Sequence, residues 1–336
     1  MKKIIKYSKN IKDILNLKKE LFASSKKYLK NTIKINKEYK KLKLRKLCIV
    51  CQFSLKKPDF VSHTVPYSIC KKCGHLNGIY LMSKKFNEKI YSSNLGKDYS
   101  FLYTRNYKSR VEKIYLPKVR FMKKVIKKKI KVLDFGCGNG HFVKACENLK
   151  IKAEGIDPNH ELIRLGHKYL KINFIKKLNF EESIDEIITT DANLISFIFV
   201  LEHLENPINI FEAFSKSSAE YIYFSVPMFS FAVFIENCFQ NIYPRQLGGP
   251  HTNLYSRESI NFIIKKFNLK IAGEWWFGTD FYDLYRNILL ASNYRNKIYK
   301  KKLDAIFLNQ INDLQKILDK SKLCSEVHLI LKKNSK

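Results

Sequence analysis

The sequence predicts an α/β fold built on a parallel sheet, and three observations predict it. Short apolar strands alternate with helix-length segments from residue 131 to residue 332, the order that a parallel sheet demands. The stretch Lys131-Val-Leu-Asp-Phe-Gly-Cys-Gly-Asn-Gly-His141 passes from a strand (Val132, Leu133) through an acid, Asp134, and three alternating glycines, Gly136, Gly138 and Gly140. A helix-like run follows from Phe142 to Leu149, and a second apolar strand ends in another acid, Glu154-Gly-Ile-Asp157-Pro158. This strand–loop–helix–strand unit is shaped for a nucleoside-like ligand. Glycine lets a backbone turn tightly and approach the ligand, because no Cβ stands in the way. An acid at the tip of the second strand is placed to bind two ribose hydroxyls.

Element by element, strands are expected near 131–135, 152–156, 172–176, 194–199, 221–226, 269–275 and 326–332, with helices between them. Pro158 and Pro207 sit where helices begin, since proline suits the first turn. Ser256-Arg-Glu-Ser259 before Ile260 reads as a helix cap. Residues 280–322 read as a helical insertion between the last two strands. Upstream, Ile11, Ile14, Leu15, Leu21 and Phe22 recur at helical spacing among lysines, so residues 1–46 read as one or two basic amphipathic helices. Residues 81–129 are polar and rich in tyrosine and lysine, and are expected to cover the ligand cleft. Tyr91, Tyr99, Tyr103 and Tyr107 are candidates to line it, against ordinary aromatic packing.

The glycine loop also narrows the ligand. A dinucleotide fingerprint holds a pyrophosphate at a helix N-terminus. Here the third glycine comes one residue early, and His141 stands where that pattern takes Gly or Ala. Asp134 would repel a pyrophosphate and attract an ammonium group. A cofactor that is cationic at one end and free of phosphate fits, and S-adenosylmethionine has that character. The run D-x-G-x-G-x-G with a strand-end acid resembles the signature of class I S-adenosylmethionine-dependent methyltransferases. Phe199-Val-Leu-Glu-His-Leu-Glu-Asn-Pro207 is similar to that family's segment after the fourth strand. The resemblance spans roughly residues 130–333. It implies a Rossmann-like seven-stranded sheet, with Asp134 near the methionine amino group, Gly136, Gly138 and Gly140 beneath the cofactor, and Asp157 on the ribose.

Cys48-Ile-Val-Cys51 and Cys70-Lys-Lys-Cys73 form two C-x-x-C pairs, separated by residues 52–69. That spacing matches a zinc module, and four thiolates leave no open coordination position, so the site should be structural. Residues 47–80 are therefore read as a small zinc-binding module. A redox pair is the rival reading, and His63 or His75 the alternative ligands. Cys137, Cys146, Cys238 and Cys324 read as free thiols in a reducing, cytoplasmic setting. A four-cysteine module ahead of a class I domain resembles a bacterial group of small-molecule methyltransferases, some acting on nucleotide-linked sugars. The resemblance implies an acceptor that is a sugar nucleotide or glycan precursor.

The formal net charge is +33. Either a polyanion partner or a lysine-rich compositional bias explains it. Lysine dominates, whereas base readers favour arginine, so an RNA or other nucleic-acid methyltransferase is the second reading. A non-catalytic cofactor-binding protein is the third. The N-terminal stretch lacks the apolar core of a secretory signal. Tyr221–Ile235, the longest apolar run, falls short of the ~20 residues that a bilayer span needs; contact with a greasy or membrane-bound acceptor is a lesser reading.

Two histidines compete for the role of general base. His203 follows the fourth strand, near where the methyl group should sit. His251 lies in Leu247-Gly-Gly-Pro-His-Thr-Asn-Leu-Tyr-Ser256, a loop suited to covering a pocket. In the zinc-bearing sugar methyltransferases a Glu-His pair in a comparable loop is associated with catalysis. Pro250 stands in place of that acid here, which argues against sugar C-methylation and leaves O- and N-methylation equally open. Glu202 is read as orienting a neighbour. Gly273-Glu-Trp-Trp-Phe through Arg286 is a candidate acceptor wall, against a plain packing corner.

Overall fold

The computed structural model describes residues 2–13, 15, 24–83, 85–87, 90, 106–170, 174–248, 251–292 and 296–334. Ile14, Leu21, Phe22, Tyr91, Tyr99 and Tyr103 lie outside the described residues.

Two sheets organise the chain. The strands in chain order are β1 (Ile4–Tyr7), β2 (Phe60–Ser62), β3 (Val65–Ile69), β4 (Leu76–Gly78), β5 (Lys131–Phe135), β6 (Lys152–Asp157), β7 (Ile175–Lys177), β8 (Leu194–Ile198), β9 (Tyr221–Pro227), β10 (Asn253–Leu254), β11 (Leu269–Phe277) and β12 (Glu326–Lys333). The large sheet runs β1-β11-β12-β9-β8-β5-β6-β7. Its strands are parallel except β12, which slots antiparallel between β9 and β11. All seven residues of β9 are buried, as expected of a strand with helices on both faces. One helical layer includes α3 (Leu116–Val125) and α4 (His141–Asn148), whose Phe121, Met122, Val125, Phe142 and Val143 share a core with Val132 and Tyr223. The opposite layer includes α7 (Ile208–Lys216) and α9 (Arg257–Lys266), whose Phe211, Phe214, Ile260 and Ile263 pack with Leu133, Phe197 and Phe224.

The seven expected strands are present, and β1 adds an eighth. Ile4–Tyr7, read from sequence as part of a helical segment, instead pairs parallel with β11 through Ile4↔Gly273 to Tyr7↔Trp276. The cause is a period-two pattern, with Ile4 and Lys6 turned inward and Ile5 and Tyr7 outward. Lys6 lies 3.5 Å from the Trp275 ring centroid, and Lys3 pairs with the buried Glu274. The basic helix appears later, as α1 (Ser25–Tyr39), which buries Thr32, Asn36 and Tyr39. The expected insertion is two helices, α10 (Asp280–Ala291) and α11 (Lys297–Ser321). Ser256 and Ser259 cap α9 reciprocally. No described helix is long and apolar enough to cross a membrane.

The second sheet, β10-β4-β3-β2, joins segments far apart in sequence. Residues 47–80 supply three strands, and β10, from the segment after β9, supplies the fourth. The four cysteines of the C-x-x-C pairs share an apolar cluster with Leu201, Tyr255 and Ile260. The cysteine segment therefore packs as one body with the loop that carries His251.

Candidate active site

At the carboxyl ends of β5, β6, β8 and β9 a cavity of about 1710 Å³ opens, the usual ligand position in sheets of this kind. The glycine loop forms its floor. Gly136, Gly138 and Gly140 all hold left-handed φ, at 70°, 55° and 76°. A Cβ on Gly136 would meet Val200 Cγ2 at 2.6 Å, and one on Gly140 would meet Leu170 Cδ1 at 2.5 Å. A Cβ on Gly138 meets nothing nearer than Leu162 at 3.9 Å. Gly138 thus presents bare backbone to open space.

Asp157 fixes this loop. Its carboxylate accepts the Gly138 N–H and the Asn159 N–H, each at 2.8 Å, and it lines the cavity. Burial pushes it up to about 6, opposed by those two backbone donors. Asp134 sits behind the wall and accepts the Ser196 hydroxyl at 2.6 Å. The cavity lining includes Phe135 and Gly136 but not Asp134. Burial raises Asp134 to about 7, with Ser196 opposing and Asp157 adding to the rise.

The structure brings the two candidate histidines together. His203 closes a short 3-10 turn after β8, and its ring centroid lies 4.8 Å from that of His251. Both line the cavity. His203 Nε2 stands 3.9 Å from Glu202 Oε1. Glu202 is fully buried, and neither carboxyl oxygen has a hydrogen-bond partner among the described residues. Burial raises it to about 8. His251 Nδ1 is likewise unpartnered, and burial, with His203 and Arg245 adding, lowers the ring to about 3. The preceding loop is held by the buried carboxylate of Glu236, which accepts the N–H groups of Arg245, Gln246 and Leu247. Arg245 in turn forks onto Asp283 at 2.8 to 3.1 Å.

Several contributors are invisible in the sequence pattern. Lys118 on α3 is 2% exposed and lines the cavity, 4.8 Å from the Phe199 ring centroid. Burial lowers it to about 8, against the pull of Glu326 and with Lys9 and Arg110 reinforcing. Among 63 lysines and arginines no signal singles it out. Phe199 itself holds φ of 58°, a strained setting for a non-glycine residue and one that clusters at functional sites. Glu326, at the start of β12, reaches the cavity while its Oε1 takes the His328 Nε2–H at 2.8 Å. His328 Nδ1 lies 2.9 Å from the Tyr223 hydroxyl. Burial alone would raise Glu326, but His328 and Lys118 outweigh it and hold it near 2.

The proposed acceptor wall at 273–286 does not form as read. Trp275 and Trp276 are buried in the sheet, donating to the Ser8 carbonyl and to Glu274. Arg286 is fully buried and donates to the Tyr243 carbonyl. From that stretch Phe277 and Thr279 line the cavity. Tyr107 stacks on His141 and Tyr169 rather than lining the cleft, while its neighbours Asn106, Arg110, Ile114 and Tyr115 do line it.

Beside the cavity the Cys48, Cys51, Cys70 and Cys73 Sγ atoms all lie within 4.8 Å of one another and are buried. Cys48 and Cys73 are 3.6 Å apart, and Cys51 and Cys70 3.4 Å. The Cys73 carbonyl accepts the Ser256 hydroxyl, tying the cluster to the start of α9. Leu44, Arg45, Leu47, Ile49 and Gln52 extend from this region into the cavity wall. His63 bonds to Ile242 and Ser62 and lies outside the cluster, as does His75.

Residues 107–273, just under half the chain, match a family model described as a methyltransferase domain. No curated protein sequence matches. Similar solved structures include a SAM dependent methyltransferase from Archaeoglobus fulgidus, at 19% identity over 70% of this chain and 100% of that one, with TM-score 0.45. Another is magnesium protoporphyrin IX methyltransferase from Synechocystis PCC 6803 with bound SAH, at 9% identity over 75% and 100%, with TM-score 0.48. A plantazolicin methyltransferase in complex with SAH aligns at 18% identity over 74% and 94%, with TM-score 0.46. The matched segment contains the glycine loop, Asp157, His203 and His251.

Proposed function

We propose that this chain transfers a methyl group from S-adenosylmethionine to a small acceptor, with a nucleotide-linked sugar or glycan precursor leading. The observation that carries the reading is a single cavity with a bare-backbone glycine loop on one side and a paired-histidine wall on the other. Its volume, about 1710 Å³, exceeds the ~300–1,000 Å³ of a pocket for one drug-sized ligand. That leaves room for cofactor and acceptor together.

The cofactor supplies an electrophilic methyl group on a positively charged sulfur. Asp157 takes the ribose hydroxyls through the lone pairs that Gly138 and Asn159 leave free. Asp134 acts through water or backbone on the amino group, since it stands behind the wall. Lys118 supplies a desolvated cation for the carboxylate tail. Methyl transfer is chiefly a matter of alignment, and a hydroxyl or carbon acceptor also needs a base. His203 and His251 stand in contact on the wall that would receive its proton. Cys48, Cys51, Cys70 and Cys73 fit a structural zinc ion: four buried thiol sulfurs converge with no open position. The ion would hold the acceptor wall against the catalytic body.

The test is incubation of the purified protein with methyl-labelled cofactor and fractionated cell extract. Label should enter a small, polar, phosphate-bearing fraction. Label in RNA would replace the acceptor class, and cofactor binding without any labelled product would reduce the chain to a binding protein.

A further inference from the structure

We propose that Glu202 is the positioning acid of the acceptor site, standing behind His203 and making His203, rather than His251, the group that takes the acceptor's proton. The inference rests on the methyl-transfer reading and deepens it.

The first support is an orphan. Glu202 is fully buried, and both its carboxyl oxygens lack hydrogen bonds among the described residues. A buried acid in that state is costly unless a partner or ligand satisfies it. His203 Nε2 at 3.9 Å is a base within reach, and catalytic contacts that are long in an empty site tighten when it fills.

The second support is the asymmetry between the rings. His203 and His251 face each other at 4.8 Å, with their planes 56° apart. His251 is disfavoured as a proton carrier by burial, by His203 and by Arg245. The acid that would offset them is missing at its own position, where the chain has Pro250. His203 has such an acid at its side. Lys118 and Glu326 act on Glu202, and Arg45 and Glu205, which act on each other, also line the cavity. Tyr255 packs below, its hydroxyl raised by burial and then by Glu202. Among the described residues the charged groups that act on His251 are His203 and Arg245, neither of them an acid. A base oriented by a buried third group is the general logic of activated proton transfer.

The step balances as follows. A lone pair on the acceptor atom forms the bond to the methyl carbon, and the carbon–sulfur bond breaks with its electrons staying on sulfur. The acceptor's proton passes to neutral His203. Ionised Glu202 then neutralises the imidazolium charge. Because burial raises Glu202 to about 8, its ionised form grows as pH rises towards that value, and turnover should grow with it.

The experiment needs no known acceptor. Full-length protein labelled with 13C at the histidine Cε1 is titrated by NMR, with S-adenosylhomocysteine as probe. His203→Gln and His251→Gln assign the two resonances. In the native protein the His203 resonance should carry a further step towards pH 8, where Glu202 ionises beside the ring; Glu202→Gln should erase that step and leave the His251 curve unchanged. S-adenosylhomocysteine affinity, read by calorimetry, should be unchanged and reports an intact fold. Glu202→Asp, with its carboxyl drawn back from the ring, should leave a smaller step, and it substitutes for the Gln variant should that fail to fold. A native His203 curve without that step, or a step that Glu202→Gln leaves in place, overturns the proposal. The expected step without labelled product in the extract assay leaves the pair standing and sinks the methyl-transfer reading instead.

Discussion

The glycine-loop half of the cavity takes its wall largely from residues 135–141 and 157–162, two neighbouring runs. The opposite half takes its wall from residues 28–52, 202–206, 243–248 and His251. The first half works through backbone: left-handed glycines and N–H groups pinned by one carboxylate. The second works through side chains delivered from distant segments and braced by a cysteine cluster. Backbone work depends on local conformation and leaves a contiguous motif. Side-chain work depends on long-range packing, so its parts can be far apart in sequence. The two halves should therefore fail independently, and substitutions can test that.

The largest expected effect is loss of the metal. Purified protein should carry zinc, and Cys70→Ser or chelation should remove it. Structural zinc contributes on the order of 10–16 kcal/mol to small folded modules. Here the cluster shares its core with Leu201, Tyr255 and Ile260, so the damage should spread to the half opposite the glycine loop. S-adenosylhomocysteine binding should be the less affected, because the hydrogen bonds that pin the glycine loop, from the Gly138 and Asn159 N–H groups to Asp157, draw on no residue of 47–80. Metal analysis with thermal melting and calorimetry checks this. Absence of zinc from the native protein, or loss of cofactor binding together with zinc, would break the division.

Next come the histidines. General acid–base groups typically contribute 10²–10⁴-fold to rate. His203→Ala should approach that loss in turnover, and His251→Ala should lose less, with cofactor affinity intact in both. An unchanged rate for His203→Ala would return the role to His251. Asp157→Ala should weaken cofactor binding by about 1–3 kcal/mol, the cost of leaving buried polar groups unpaired. Unchanged affinity by calorimetry would place the ribose elsewhere.

What was legible follows the same division. The strands β5, β6, β8, β9, β11 and β12 announced themselves, because apolar runs between helix-length segments are local signals. The C-x-x-C spacing did too. Strand β1 escaped, since four residues with two inward positions do not distinguish a strand from the edge of a basic helix. Lys118 was hidden by composition: in so basic a chain a buried, cavity-facing lysine reads like any other. The tryptophan-rich stretch misled in the opposite direction, because aromatic residues beside acids suggest a ligand wall and equally suit a sheet core. His203 and His251 were each visible, but their contact was not. It depends on a strained Phe199 turning the chain after β8 and on Glu236 holding three consecutive N–H groups of the 245–247 loop. Neither appears as a pattern.

The smallest expected effect is the sharpest probe of the backbone half. Gly138→Ala places a residue with a Cβ at φ of 55°, which costs about 1–2 kcal/mol for a non-glycine residue. The new methyl meets only Leu162, at 3.9 Å, so packing adds little. Gly140→Ala pays the same conformational cost and also drives a Cβ to 2.5 Å from Leu170, so its melting temperature should fall further. Cofactor affinity should rank the other way among variants that remain folded. The Gly138 methyl projects into the open cavity, where the proposed cofactor would lie, whereas the Gly140 methyl is directed into the core. Melting curves and S-adenosylhomocysteine titrations on the two variants separate the costs. If Gly138→Ala binds as tightly as the native chain, the bare backbone at Gly138 serves the turn alone, and the cofactor must lie elsewhere in the cavity.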